Sequence, residues 1–139
     1  MINVEVYEKW MKYALVEAVK AFDAGEVPIG CIIVKDNKII GEGYHKKYGK
    51  EHAEINAIKS VTNKKEIKGS SIYVNLEPCS HYGKTPPCTN AIIRAKIKKV
   101  FYGMDDVDKR SANKSYDLFK KKKIQVKRNI LKNDAVDLY

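Results

Sequence analysis

Apolar positions along the chain switch between two periods, and each switch marks an element. Residues 4 to 24 carry Met11, Leu15, Ala18 and Phe22 at three- and four-residue spacing. That is one face of an amphipathic helix, and Gly25 stops it. The next run, Pro28-Ile-Gly-Cys-Ile-Ile-Val34, is β-branched and lacks polar alternation, which predicts a strand covered on both faces. Asp36-Asn37 make a turn into Lys38-Ile-Ile-Gly-Glu-Gly-Tyr44, and the pair reads as a hairpin.

The helical period returns over His52 to Ser60, with Ala53, Ala57 and Ile58 as inner positions. Ser70 to Asn75 is a third strand, and Leu76 to Thr85 is a loop rich in turn formers. Pro86-Pro87 stand where a helix from Cys88 to Ala95 begins. Lys98 to Tyr102 is a fourth strand, ended by Gly103. A helix from Asn113 to Lys121, a strand from Ile124 to Val126 and a short terminal helix follow. This alternation predicts one α/β sheet with helices on both faces. A length of 139 residues suits a single domain, residues 1–139.

Composition narrows the class. Hydrophobic residues make up 44% and charged residues 32%, a globular rather than disordered balance. No apolar run approaches the roughly 18 residues a membrane span needs, and the N-terminus carries no basic-then-apolar signal segment. A cytoplasmic protein is expected. The net charge of +10 admits an anionic partner, a phosphorylated small molecule or nucleic acid. A lysine-rich solubilising surface accounts for the same excess, and Lys120 to Lys123 read as a solvated helix end. No arginine stripe interleaved with aromatics favours nucleic acid.

Three cysteines without a signal segment point to metal or catalysis rather than disulfides. Histidines occur only at positions 45, 52 and 81. His52-Ala53-Glu54 opens one helix, Pro78-Cys79 follows a strand and Cys88 opens another helix. One imidazole and two thiolates are three ligands for tetrahedral zinc, leaving the fourth position for water. Helix N-termini help hold cysteines as thiolates. Glu54 is expected beside the water as proton shuttle. Cys31, in the apolar strand, reads as core. His-x-Glu followed by Pro-Cys-x-x-Cys is the pattern of zinc deaminases acting on nucleobases. Here eight residues, not two, separate Cys79 and Cys88.

That longer loop, Leu76-Glu-Pro-Cys-Ser-His-Tyr-Gly-Lys-Thr-Pro-Pro-Cys88, resembles the deaminase domain of the bifunctional riboflavin-biosynthesis deaminase/reductase family. Ile29 to Val34, Gly41-Glu-Gly-Tyr-His45 and His52-Ala-Glu54 resemble it too. The resemblance implies a cytidine-deaminase-like three-layer α/β/α sandwich with a five-stranded mixed sheet. It implies hydrolysis of the 2-amino group of 2,5-diamino-6-ribosylamino-4(3H)-pyrimidinone 5′-phosphate. By matching motif, His52, Cys79 and Cys88 would bind zinc and Glu54 would move protons. His45, His81, Lys84 and Thr85 would face substrate, with Lys84 as a point charge on phosphate. The reductase half has no counterpart here, so a separate reductase is expected to act next. Related deaminases commonly pair, so a dimer is expected.

Two departures bear on substrate. Glu26-Val27 stand where the family has Asn-Pro, and Asp106-Val-Asp108-Lys109 where it has Asp-Pro-Asn-Pro. Acids in place of asparagines change donors and charge. The alternatives are a related deaminase of another nucleobase or nucleotide, and a tRNA adenosine deaminase, which Glu26-Val-Pro-Ile-Gly30 resembles. The non-enzyme alternative, a structural zinc or inactive binding module, needs a fourth ligand, and three are evident.

Overall fold

The computed structural model describes residues 4–47, 50–80, 87–107 and 113–139. Asp36 and Asn37 both adopt positive φ, 51° and 63°, as a two-residue type I′ turn requires. They fold β1 (Gly30–Lys35) antiparallel onto β2 (Lys38–Tyr44). On its other side β1 pairs antiparallel with β3 (Ser71–Leu76). β3 runs parallel to β4 (Lys99–Met104), and β4 parallel to β5 (Gln125–Lys127). The order β2-β1-β3-β4-β5 makes the expected five-stranded mixed sheet.

Side chains of β1 alternate between two cores. Cys31 and Ile33 point into a cluster with Ala57, Ile72, Val74, Ile92, Val100, Tyr102 and Phe119. That face is covered by α2 (Ala53–Ser60), α3 (Cys88–Arg94) and α4 (Lys114–Lys121). Ile32 and Val34 meet Trp10, Met11 and Ala14 of α1 (Val4–Asp23) together with Tyr73 and Phe101. α5 (Lys132–Leu138) sets Ala135 against Gly103 of β4. A strand buried on both faces is the outcome the unalternating run demanded.

Several details differ from the sequence reading; β4 runs through Gly103 to Met104 and β3 takes in Leu76. The buried stripe of α1 is Trp10, Met11, Ala14, Glu17, Ala18 and Ala21, whereas Phe22 is 58% exposed. The backbone of Gly30 lies directly on Ala14 and Ala18, so this face accepts small residues and turns the phenylalanine outward. β1 starts at Gly30, not Pro28, because Pro28 has no N–H to give a ladder and its carbonyl is taken by the Asn75 side chain. A short 3₁₀ turn at Lys64–Glu66, capped by Asn63, had no periodic signal. No helix among the described residues is long and apolar enough to cross a membrane.

Candidate active site

The ends of β2 and β3 and the starts of α2 and α3 meet at one edge of the sheet, and their geometry follows from local packing. Gly43 lets α2 lie flat on β2, since a Cβ there would sit 2.5 Å from Ala57 N. The Asn56 side chain then donates to Tyr44 O at 2.9 Å, tying the end of β2 to the first turn of α2. His52 is the N-cap of that helix, and its side chain makes no capping bond. His45 is thereby held beside it, with ring centroids 5.7 Å apart.

β3 delivers the second ligand candidate. Glu77 N donates to Met104 O at 2.8 Å, prolonging the β3–β4 pairing, and Cys79 O accepts from Thr89 N at 3.2 Å. Cys79 is therefore pinned to α3, whose first residue is Cys88. The Cys88 N–H points at Cys79 Sγ, 3.2 Å away. His52 Nδ1 lies 3.7 Å from Cys79 Sγ and 3.4 Å from Cys88 Sγ. All three donor atoms fall within 4.8 Å of one another. Tetrahedral zinc, bonded at ~2.0–2.1 Å to nitrogen and ~2.3 Å to sulfur, holds such atoms ~3.6 Å apart. The nitrogen and two sulfurs fit that ion.

Electrostatics at the cluster are those of a cation site built from thiols. Of the two cysteines, Cys79 is the one whose thiolate form is favoured. Its thiol falls to about 4, chiefly through its hydrogen bond with Cys88, with His52 adding to the effect. The Cys88 thiol is pushed up by its partner and by burial. The hydrogen bond to Cys79 raises the His52 imidazole. Glu54, the second residue of α2, is 3% exposed and bonds the Cys88 side chain. Burial raises its carboxyl to about 7, and the Cys79 charge adds to the rise. A carboxyl near neutrality both accepts and returns protons. Cys31 is buried in the core and its thiol is pushed well up by burial, the inert packing role expected of it.

A model of the cytidine and deoxycytidylate deaminase zinc-binding region matches residues 4–104. The chain belongs to that family. This deaminase is 41% identical over 130 residues to the diaminohydroxyphosphoribosylamino-pyrimidine deaminase of Buchnera aphidicola subsp. Schizaphis graminum, covering 89% of this chain and 87% of that one. Among solved structures, Acinetobacter baumannii RibD superposes with a TM-score of 0.91 at 36% identity, over 98% of this chain and 38% of that one. The diaminohydroxyphosphoribosylaminopyrimidine deaminase/5-amino-6-(5-phosphoribosylamino)uracil reductase of Thermotoga maritima gives 0.89 at 40% identity, over 97% and 39%. The deaminase thus spans about two fifths of the length of those two proteins and most of the Buchnera one.

The remaining expected site residues divide. His45 is buried beside the cluster, and neither ring nitrogen has a hydrogen-bond partner among the described residues. Glu26 Oε1 lies 3.9 Å from its Nε2, and burial lowers the imidazole. Glu26 is brought there by a Schellman turn, with Gly25 at φ 78°, its N–H on Phe22 O and Glu26 N on Ala21 O. His81, Lys84, Thr85 and Asp108 lie outside the described residues. Sequence reasoning gave no role to Asn75 or Glu77. Asn75 accepts from Gly30 N and donates to Pro28 O, both at 2.8 Å, so it fastens the Glu26 loop to β3. Two polar side chains at the end of an apolar strand stand out in the sequence, but the backbone groups they bind do not.

Proposed function

We propose that this chain hydrolyses the 2-amino group of 2,5-diamino-6-ribosylamino-4(3H)-pyrimidinone 5′-phosphate, with zinc held by His52, Cys79 and Cys88. The observation that carries the chemistry is the buried Glu54 beside a nitrogen–sulfur–sulfur cluster of tetrahedral dimensions. The substrate class is supported by likeness to the Buchnera deaminase along most of its length. The buried His45 imidazole, with no hydrogen-bond partner among the described residues, supports it further. Such a group is costly without a partner, and a substrate hydroxyl or ring nitrogen relieves it.

When bound there, zinc supplies Lewis acidity to the attacking water. Glu54 takes one proton from that water while its oxygen adds to the ring carbon bearing the amino group. The same carboxyl then gives a proton to the nitrogen, the C–N bond breaks and ammonia leaves. A ring amide remains, and one water is consumed per ammonia released. Glu54 starts as base and ends as acid, which a carboxyl near neutrality permits. His45, His81, Lys84 and Thr85 are assigned to substrate, with Lys84 on the phosphate. We read the 139 residues as one deaminase domain acting as a dimer, whose product passes to a reductase.

An ammonia-release screen of the zinc-loaded protein tests the reading. It compares the diaminopyrimidinone phosphate with cytidine and adenosine nucleotides, guanine and a tRNA anticodon hairpin. The expected outcome is preference for the diaminopyrimidinone phosphate. Lys84→Ala should then raise its KM roughly ten- to a hundred-fold, the loss of one charge-assisted contact, and leave the dephosphorylated compound little changed. Preferential turnover of the hairpin would overturn the substrate assignment.

A further inference from the structure

Glu77 is 2% exposed, yet nothing in the chemistry above uses it. Its Oε1 accepts from Asp106 N and Asn113 N, both at 3.0 Å. Its Oε2 accepts from Ser115 N at 3.3 Å and from Ser115 Oγ at 2.5 Å. Three of these donors are backbone N–H groups that no helix or strand satisfies. Asn113, the N-cap of α4, makes no side-chain capping bond and sits at φ 64°, so Glu77 caps that helix from the turn after β3. Asp106 and Asn113 flank the connection between β4 and α4. One carboxylate therefore grips both of those flanks, two residues before Cys79.

The grip reaches the catalytic cluster through short links. Glu77 N is bonded to Met104 O, and Cys79 O to Thr89 N, so the Glu77-Pro78-Cys79 turn is fastened to β4 on one side and α3 on the other. Burying a carboxylate costs heavily unless its lone pairs are filled, and here the filling groups come from Asp106 after β4 and from Asn113 and Ser115 at the start of α4.

We propose that Glu77 is a positioning residue, whose carboxylate holds Asp106 and the start of α4 against the Cys79 turn and thereby keeps the surroundings of the cluster, where the ring must bind, in place. It touches neither substrate nor metal. The kinetic readout rests on the substrate reading given above, whereas an exchange readout does not.

The test uses the full zinc-loaded chain carrying Glu77→Gln, which keeps the shape but faces an amide N–H₂ toward N–H donors. Zinc content should stay at one per chain and kcat should stay near that of the parent. KM for the diaminopyrimidinone phosphate should rise about tenfold or more, the scale on which a small misplacement acts. Amide exchange should quicken in peptides covering 104–107 and 113–116 and stay unchanged in 88–94. Ser115→Ala removes only the hydroxyl bond and should move KM and exchange the same way by a smaller factor, which keeps the test open if the glutamine variant fails to fold. An unchanged KM beside lowered thermal stability would overturn the proposal, as would exchange quickened uniformly along the chain. If the parent protein releases no ammonia from this compound, the substrate reading fails, and the exchange pattern alone decides for or against Glu77.

Discussion

At the scale of single residues the proposed reaction depends on Glu54 being a carboxylic acid inside the core rather than on its size. Burial holds its carboxyl near 7, so Glu54→Gln keeps volume and hydrogen bonding but removes the proton acceptor. That variant should retain zinc and thermal stability while kcat falls about a hundred- to ten-thousand-fold. Metal analysis beside ammonia-release kinetics checks both halves, and near-parental kcat in zinc-replete protein would take Glu54 out of the mechanism. Cys88→Ala attacks the other half of the site. It leaves one sulfur and one nitrogen, too few for a stable tetrahedral set, and should lose most of the zinc after dialysis. Full occupancy by elemental analysis would refute the ligand assignment. These residues were legible in the sequence because zinc and general-base chemistry restrict residue types so tightly. Glu77 and Asn75 were not, because a carboxylate or amide that binds backbone groups has no partner visible until the loops are folded around it.

Elements matter here through where they end. β3 closes with Asn75 holding the loop before β1, with Glu77 holding the start of α4, and with Cys79 facing α3. The end of β3 and the turn after it thus tie the Cys79 side of the cluster to three other segments. α2 brings His52 at its N-cap and Glu54, and its approach to β2 depends on the missing side chain at position 43. Gly43→Ala would put a Cβ 2.5 Å from Ala57 N and 2.8 Å from Ala53 O. Backbone cannot yield as a flexible side chain would, so the helix must shift. The expected cost is about 1–3 kcal/mol in a denaturant titration, and kcat/KM should fall with it because α2 carries His52 and Glu54. Unaltered stability would show that α2 does not depend on that contact. Most element positions followed from periodicity, including the hairpin turn at Asp36-Asn37. The face of α1 did not, since Phe22 satisfies the helical spacing as well as Ala21 does, and only the closeness of Gly30 selects the smaller residue.

For the whole molecule, charge sets the question. An excess of ten positive charges would serve a nucleic-acid surface or a solubilising one equally well. A reader of RNA that neutralises several phosphates loses affinity steeply with salt, whereas one phosphate on a small substrate does not. Lys121 and Lys122 are exposed at the end of α4, so neutralising both to alanine should leave kcat/KM for the diaminopyrimidinone phosphate nearly unchanged from low to moderate salt. A large loss in that pair, with a steep salt slope, would favour the nucleic-acid surface instead. What the sequence by itself determined was the α/β class, the hairpin, the unalternating central strand and the residue types of the cluster. Each depends on neighbours in the chain or on the fixed preferences of a metal. Tertiary structure alone decided which face of α1 is buried and that the Asn75 and Glu77 side chains serve as fasteners. It also decided that His45 lies beside His52 with no hydrogen-bond partner for either ring nitrogen among the described residues. Those properties depend on groups tens of residues apart meeting at distances of a few ångströms, where one backbone contact selects the side chain and no local pattern records it.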